Sequence, residues 1–379
     1  MPGGVRVGFL LEQCLAPVPG GTGRYSREIA AALAATAPPG AEVAGWTGWH
    51  RDVSAAAVPG VEGPTRLPLG RRALAVAWER GRGPRPRGVD LVHAPTPLLP
   101  PRGQRPLVVT IHDAVPWTHP ETLSPRGVAF HRRMGERAAR TADLVVVPTE
   151  AVRRELTALL PLRRVLVVGH GVSAGLQPRA DAGERADRLG LPPQGYLLTL
   201  ATLEPRKGLD VALAALARSG SPDLPLLVAG APGWGGVDPA TEAVRLGLGP
   251  GRVRVLGRVD DADLAVLLDR ATALLMPSRA EGFGLPVIEA MARGTPVVIS
   301  AAPALVEVAG GAAVVVPVGD AGALAVALDQ LTGDPGRRVE LAAAGRRRAA
   351  EFSWTAAGRS LWSAYASLLP GQRIDGPAA

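Results

Sequence analysis

The stretch from Pro277 to Ser300, Pro-Ser-Arg-Ala-Glu-Gly-Phe-Gly-Leu-Pro-Val-Ile-Glu-Ala-Met-Ala-Arg-Gly-Thr-Pro-Val-Val-Ile-Ser, constrains the fold more than any other part of the chain. Before it, Ala273 to Met276 is a short apolar run that reads as a buried strand, and Pro277 ends that strand by withholding a ladder donor. In the loop that follows, Gly282 and Gly284 let the backbone approach a ligand closely. Pro286 suits the first turn of a helix running to about Arg293. Gly294-Thr295-Pro296 stops that helix, and Val297 to Ile299 begins the next parallel strand. A helix N-terminus entered through glycines is an anion site, so phosphate is the expected guest. Glu281 on the loop and Glu289 about a turn inside the helix should then reach different parts of one long ligand.

A chain of 379 residues exceeds the usual limit of a single core, so two domains are expected, each with its own sheet. Hydrophobic content of 47% suits a well-packed globular enzyme. No apolar run is long enough to span a bilayer and the opening residues lack a signal-peptide pattern, so a cytoplasmic protein is expected. Cys14, the single cysteine, cannot form an internal disulfide and reads as a small buried hydrophobe. The formal charge of +8 favours an anionic partner: a nucleotide, a nucleic acid or the anionic face of a membrane. Nearly all the positive charge is arginine; Lys207 is the sole lysine, which suggests that an ammonium is needed there.

Along the chain, Val5 to Leu11 reads as an opening strand. Pro19-Gly20-Gly21-Thr22-Gly23 follows as a loop before a helix starting near Arg24. This loop is not a Walker A motif, and Ser26 stands where a dinucleotide fingerprint would have its third glycine. A strand over Glu42–Trp46 leads into a Pro/Gly/Arg-rich region through Arg87 with one helical piece, Arg71 to Arg80. Asp90–His93 and Leu107–Ile111 read as further strands. His112-Asp113 stands just past a strand's carboxyl end, where doubly wound sheets place ligand residues. His119 and His131 read as surface residues, and Arg132, Arg133, Arg137 and Arg140 as a basic helix face, solvated or touching membrane phosphate. Thr149 should cap a helix from Glu150. After a linker between Ser173 and Gly195, the strand Tyr196–Leu200 opens the second sheet. Arg206 and Lys207 follow, a fork and a point charge suited to two linked phosphates. Asp261-Ala262-Asp263 superficially resembles a metal-binding pair but begins an amphipathic helix, and reads as a cap. Leu361, Trp362, Tyr365 and Leu368 form an amphipathic stripe suited to docking.

Glu281 and Glu289, with Gly282-Phe283-Gly284-Leu285-Pro286 and Gly294-Thr295-Pro296-Val297-Val298 around them, resemble the signature of the retaining GT-B glycosyltransferases of family 4. The resemblance covers nearly the whole chain and is sharpest in its second half. It implies an α/β fold of two Rossmann-like, doubly wound domains facing a cleft: residues 1–178 with a returning helix at 356–379, and residues 179–355. It implies that a hexose, mannose from GDP-mannose in preference to glucose from UDP-glucose, passes to a hydroxyl of a glycan, lipid-linked or small-molecule acceptor without a metal. Carried over residue by residue, Gly20, Gly21 and Gly23 approach the donor diphosphate or the acceptor, and Arg206 and Lys207 hold the diphosphate. Gly282, Phe283, Gly284 and Leu285 form the donor loop, Glu281 positions the sugar, Glu289 accepts from the ribose, and Val259 lines the base pocket. His112 hydrogen-bonds the sugar and developing charge, and Asp113 orients its imidazole. The family's usual asparagine is replaced by His170, which leaves that position without an inherited role. Two other readings remain: a glycoside hydrolase using both glutamates, disfavoured by the phosphate-binding features around them, and a nucleic-acid-binding protein, disfavoured by aromatic content of only 4%.

Overall fold

In the computed structural model, which describes residues 4–177 and 179–369, the chain forms two compact units. The first takes in the chain up to Thr118, Pro125–Gly171 and the chain from Ser353 onward; the second takes in His119–Ser124 and Val172–Phe352.

The first unit is built on seven strands: β1 (Arg6–Leu10), β2 (Glu42–Thr47), β3 (Glu62–Arg66), β4 (Leu91–Ala94), β5 (Leu107–Thr110), β6 (Leu144–Val147) and β7 (Val165–Val167), in the order β3-β2-β1-β4-β5-β6-β7. The second has six: β8 (Leu197–Leu200), β9 (Leu226–Ala229), β10 (Val253–Gly257), β11 (Ala273–Met276), β12 (Val297–Ser300) and β13 (Val314–Val316), in the order β10-β9-β8-β11-β12-β13. Every strand pairing is parallel. Helices cover both faces of such sheets, which is why β4, β5, β6, β8, β9, β11 and β12 are apolar runs buried along their whole length. In each sheet the strand order reverses, between β1 and β4 and between β8 and β11, and ligand sites lie beyond the carboxyl ends of strands at such reversals.

Two local features differ from the expectation. The helix after β1 runs over Gly20–Ala35, so Gly20, Gly21 and Gly23 lie in its first turn and not in a preceding loop. The turn is set by packing: a Cβ on Gly23 would lie 2.4 Å from the Pro19 side chain. The edge strand β3, Glu-Gly-Pro-Thr-Arg, pairs with β2 alone and has no apolar alternation to announce it. The helix expected at Arg71–Arg80 is found at Arg71–Glu79.

Three of the four arginines expected to form a basic face on the helix Pro125–Thr141 are engaged by partners of their own unit, Arg133 remaining exposed. Arg137 is buried and donates to the Pro100 carbonyl at 3.0 Å, Arg132 donates to the Pro116 carbonyl at 2.7 Å, and Arg133 pairs with Glu79. His131, on the same helix, is half-buried and not a surface residue. Among the described residues no helix is long and apolar enough to cross a membrane.

The last described helix, Trp354–Ala366, returns to the first unit and packs on Gly20–Ala35. Leu361, Trp362 and Tyr365 are fully buried, and Trp362 donates its indole N–H to the Leu33 carbonyl at 2.8 Å. Gly358 allows the approach, since a Cβ there would lie 2.9 Å from the Ala32 carbonyl oxygen. The part of this helix expected beyond Leu369 lies outside the described residues. Trp362→Ala removes both the apolar body and the buried donor. It should lower the unfolding free energy of the first unit by about 3–5 kcal/mol, read from urea denaturation.

Candidate active site

The second unit gathers its ionisable groups where the ends of β8 and β11 meet. After β8 the chain makes a short 3-10 turn, Pro205–Lys207, and then Gly208 adopts φ 65°, the left-handed region open to glycine. A Cβ at Gly208 would stand 2.1 Å from the Pro277 carbonyl oxygen, so only glycine lets this turn press against the end of β11. The Arg279 N–H donates to the Arg206 carbonyl at 2.8 Å and ties the two loops together.

Glu281 is the centre of this arrangement. Lys207 Nζ donates to its Oε1 at 2.7 Å, as does Ser278 Oγ at 2.8 Å, and Arg206 Nη1 donates to its Oε2 at 2.8 Å. The same guanidinium reaches the Ala280 carbonyl at 2.9 Å and, through Nη2, the carboxylate of Glu204 at 2.6 Å. Glu204 is 3% exposed and the Glu281 side chain 7%, so these are pairs largely removed from water. The structure thus pairs Arg206 and Lys207 directly with Glu281, with Glu204 and Ser278 as further partners; the sequence reading assigns the two cations to a diphosphate and Glu281 to a sugar, without pairing them. Glu204 stands two residues before Arg206, but nothing local in the sequence marks it as a buried partner.

Two residues on from Phe283, the helix Leu285–Arg293 starts behind Gly284, whose φ is 91° and where a Cβ would lie 2.6 Å from the Leu305 side chain. The first-turn N–H groups of such a helix have no intrahelical acceptor and carry the positive end of its dipole. Phe283 and Leu285 are buried, Phe283 edge-on to Phe352 at 5.5 Å, so their side chains serve packing and it is backbone that they can offer a ligand. Glu289 is 3% exposed inside this helix. Val259 is half-buried just past β10. Asp260, not the Asp261-Ala262-Asp263 run, caps the helix Asp261–Arg270 by accepting from the Asp263 N–H at 2.7 Å, while the Asp263 carboxylate pairs with Arg185 and Arg188. Among the described residues no group of three His, Cys, Asp or Glu side chains is placed to hold a metal ion.

In the first unit, His112 follows β5 and Asp113 follows it. The expectation that Asp113 orients the imidazole is corrected by the hydrogen bonds. His112 Nε2 lies 2.8 Å from the Pro95 carbonyl oxygen, and Asp113 instead accepts from the Val115 N–H at 3.1 Å, opening the short helix Val115–Thr118. A carbonyl only accepts, so Nε2 carries the proton and Nδ1 is the acceptor in the neutral ring. Burial pushes the His112 imidazole below its usual range, against the pull of the Pro95 carbonyl and Asp113, so the ring is neutral at neutral pH. Tyr25, unsuspected from sequence, fixes the plane of that ring: it is 1% exposed and meets His112 edge-on at 4.6 Å. Its hydroxyl lies 3.2 Å from Thr110 Oγ1, which lies 2.9 Å from His93 Nε2, whose Nδ1 meets the Tyr365 hydroxyl at 2.5 Å. His170 is 5% exposed and stacks on Trp354 at 5.5 Å, with Tyr25 at 4.7 Å. Burial holds His93 at about 3 and His170 well below its usual range, so this cluster is a stack of neutral rings.

Burial alone would raise the Glu281 carboxyl, but Arg206 and then Lys207, with hydrogen bonds from Lys207 and Ser278, bring it down to about 2 from the usual 4.5. A carboxyl lowered by folding stabilises the fold above its unfolded value and ceases to do so as pH falls through the folded one. The difference in unfolding free energy between wild type and Glu281→Gln should therefore be constant above about pH 5 and shrink towards about pH 2. Urea titrations across that window would show a pH-independent difference if the two cations do not hold the carboxylate.

Glycosyltransferase Family 4 matches residues 19–175, and Glycosyl transferases group 1 matches residues 184–348. O-antigen chain mannosyltransferase B of Escherichia coli is 33% identical over 271 residues, 70% of this chain and 71% of that protein. D-inositol 3-phosphate glycosyltransferase of Salinispora arenicola is 37% identical over 213 residues, 50% of this chain and 47% of that protein, so about half of that relative's length is matched. Sucrose-phosphate synthase from Thermosynechococcus elongatus superposes with a TM-score of 0.75 at 24% identity, covering 96% of this chain and 99% of that one. Anabaena HepE, solved in complex with UDP-glucose, gives 0.71 at 22% identity with the same coverage. At these identities the superpositions establish the fold, which is GT-B. By both halves of its sequence, the chain belongs to the family 4, group 1 glycosyltransferases, enzymes that transfer a sugar.

Proposed function

We propose that this glycosyltransferase moves mannose from GDP-mannose to a hydroxyl of a glycan or lipid-linked acceptor, with retention of anomeric configuration and without a metal ion. The observation that carries the reading is the convergence of Arg206 and Lys207 on Glu281 at the glycine entry to the helix Leu285–Arg293. Arg206, Lys207 and the helix N-terminus together suit a diphosphate, their N–H donors taking the part that a divalent ion would otherwise play. Mannose as the sugar is supported by the Escherichia coli relative, a mannosyltransferase.

In the reaction, the bond from the anomeric carbon to the diphosphate oxygen breaks and the acceptor oxygen bonds to the same face of the sugar. The acceptor's proton passes to the departing diphosphate oxygen. Charge grows on that oxygen, so Arg206, Lys207 and the loop amides of Gly282 to Leu285 are the main catalytic groups. Glu281 holds both cations in place and has acceptor capacity left for a sugar hydroxyl, since a carboxylate offers about four lone-pair sites. Glu289 accepts from the ribose, and Val259 lines the base pocket. Gly20, Gly21 and Gly23 keep the first turn of their helix open to the donor or acceptor. His112, neutral and with Nε2–H committed to Pro95, receives a hydrogen bond from the sugar at Nδ1. Its part is thus to orient the sugar, not to supply positive charge. Asp113 holds the loop that presents it.

Lys207→Ala should reduce kcat by about 10²–10³-fold, the effect of removing one stabilising donor from a developing oxyanion. It should do so while leaving a cooperative thermal transition. Transfer by this variant at the wild-type rate would remove the diphosphate assignment. Thermal shifts with GDP-mannose, UDP-glucose, ADP-glucose and a dTDP-sugar test the donor, GDP-mannose being expected to stabilise most. The anomeric coupling of the product, read by NMR, tests retention.

A further inference from the structure

Glu12, the second residue beyond β1, is 3% exposed, and its carboxylate is held chiefly by one turn, with Arg71 Nη1 also 3.6 Å from its Oε1. The Gly48 N–H donates to its Oε2 at 2.7 Å, and His50 Nε2 lies 2.9 Å from its Oε1. Arg71 adds a hydrogen bond to the Glu12 carbonyl at 2.9 Å. From the other side, the Trp49 N–H donates to the Leu69 carbonyl at 2.8 Å and Arg66 Nε to the His50 carbonyl at 2.9 Å. Gly48 is needed for the fit, since a Cβ there would lie 2.9 Å from the Leu69 carbonyl oxygen. Burying a carboxylate is costly unless every partner is in place, so this turn is held rigidly. What it holds is an indole facing water: Trp49 is 58% exposed, the most exposed aromatic side chain among the described residues.

Resting on the transferase reading above, we infer that Trp49 is the platform on which a saccharide acceptor lies, at a sugar unit remote from the reacting hydroxyl. Trp49 follows β2 by two residues and so stands at the carboxyl edge of the sheet, one strand from the reversal between β1 and β4 where ligands bind. β2 and β5 are three strand spacings apart, and His112 follows β5, so the two residues are separated by roughly 14 Å across the sheet. That is longer than one pyranose, and the acceptor is therefore an oligosaccharide or a longer chain. The surroundings select sugar over lipid. A pyranose offers an apolar C–H face to the indole and hydroxyls to a polar rim, and the residues that follow Trp49 along the chain include the exposed, charged Arg51 and Asp52. A lipid chain would need a contiguous apolar patch.

The test uses the full chain with 15N-labelled tryptophan, its Trp49 indole signal identified as the one missing from Trp49→Phe. Mannotetraose and maltotetraose are titrated beside free mannose and a dodecylphosphocholine micelle, which carries no sugar. A tetraose should shift the Trp49 signal at concentrations where mannose does not, and Trp49→Ala should raise KM for the tetraose by about tenfold relative to its effect on mannose, with partial rescue by Trp49→Phe. A signal unmoved by either tetraose, a shift produced only by micelles, or an unchanged KM ratio would each overturn the inference. Because the binding arm needs no turnover, absence of transfer by wild type would count against the proposed reaction and leave the platform to be decided by NMR.

Discussion

One carboxylate decides whether the second unit has a site at all. Arg206 and Lys207 are consecutive cations with side chains at 14% and 15% exposure, and left to themselves they would separate into water. Glu281 prevents this by taking a hydrogen bond from each on a different oxygen, while Glu204 pulls the far side of the guanidinium. Two acids and two bases make a nearly neutral quartet, which is how four charges can be kept in a largely dry place. The backbone conforms to this need: Gly208 lets the turn meet Pro277, and Gly284 lets the loop enter its helix.

The first unit solves a different problem, that of holding an imidazole still without charging it. His93, His112 and His170 are all depressed by burial and lie among Tyr25, Trp354 and Tyr365. Protonating one would place a cation in an aromatic enclosure with a second imidazole 6.1 Å away, so neutrality is enforced by the packing. Tyr25 links the two functions of this core. Its ring braces His112, and its hydroxyl joins the Thr110, His93 and Tyr365 chain that anchors the returning helix Trp354–Ala366. Docking of that helix and orientation of His112 therefore depend on the same buried side chain.

The parts legible from sequence were those written in local chemistry. Apolar runs closed by proline gave the buried strands, and Gly284, Pro286 and Gly294 bounded the helix that the structure has at Leu285–Arg293. The parts not legible depend on partners far apart along the chain. Glu204 resembled any loop acid until Arg206 bridged it to a glutamate 75 residues away from that arginine. Tyr25 lay in an ordinary amphipathic helix, and its meeting with Thr110 spans 85 residues. The role carried over to Asp113 from the family resemblance did not hold, because the Val115 N–H two residues on takes its carboxylate. β3 was missed because an edge strand with one neighbour has no need of apolar alternation.

The lone lysine acquires a physical reason from the same geometry. Arg206 uses its planar fork on three acceptors at once, the Ala280 carbonyl, Glu281 and Glu204, and is thereby fixed as a clamp between two loops. A second guanidinium at 207 would bring another rigid fork into a place where one oxygen, Glu281 Oε1, already accepts from Ser278. An ammonium needs a single contact, rotates its donors freely and keeps its charge concentrated, so Lys207 satisfies Glu281 and keeps further donors to offer the diphosphate proposed above. In a chain that otherwise uses arginine for positive charge, that difference between a clamp and a mobile point charge accounts for lysine at this one position.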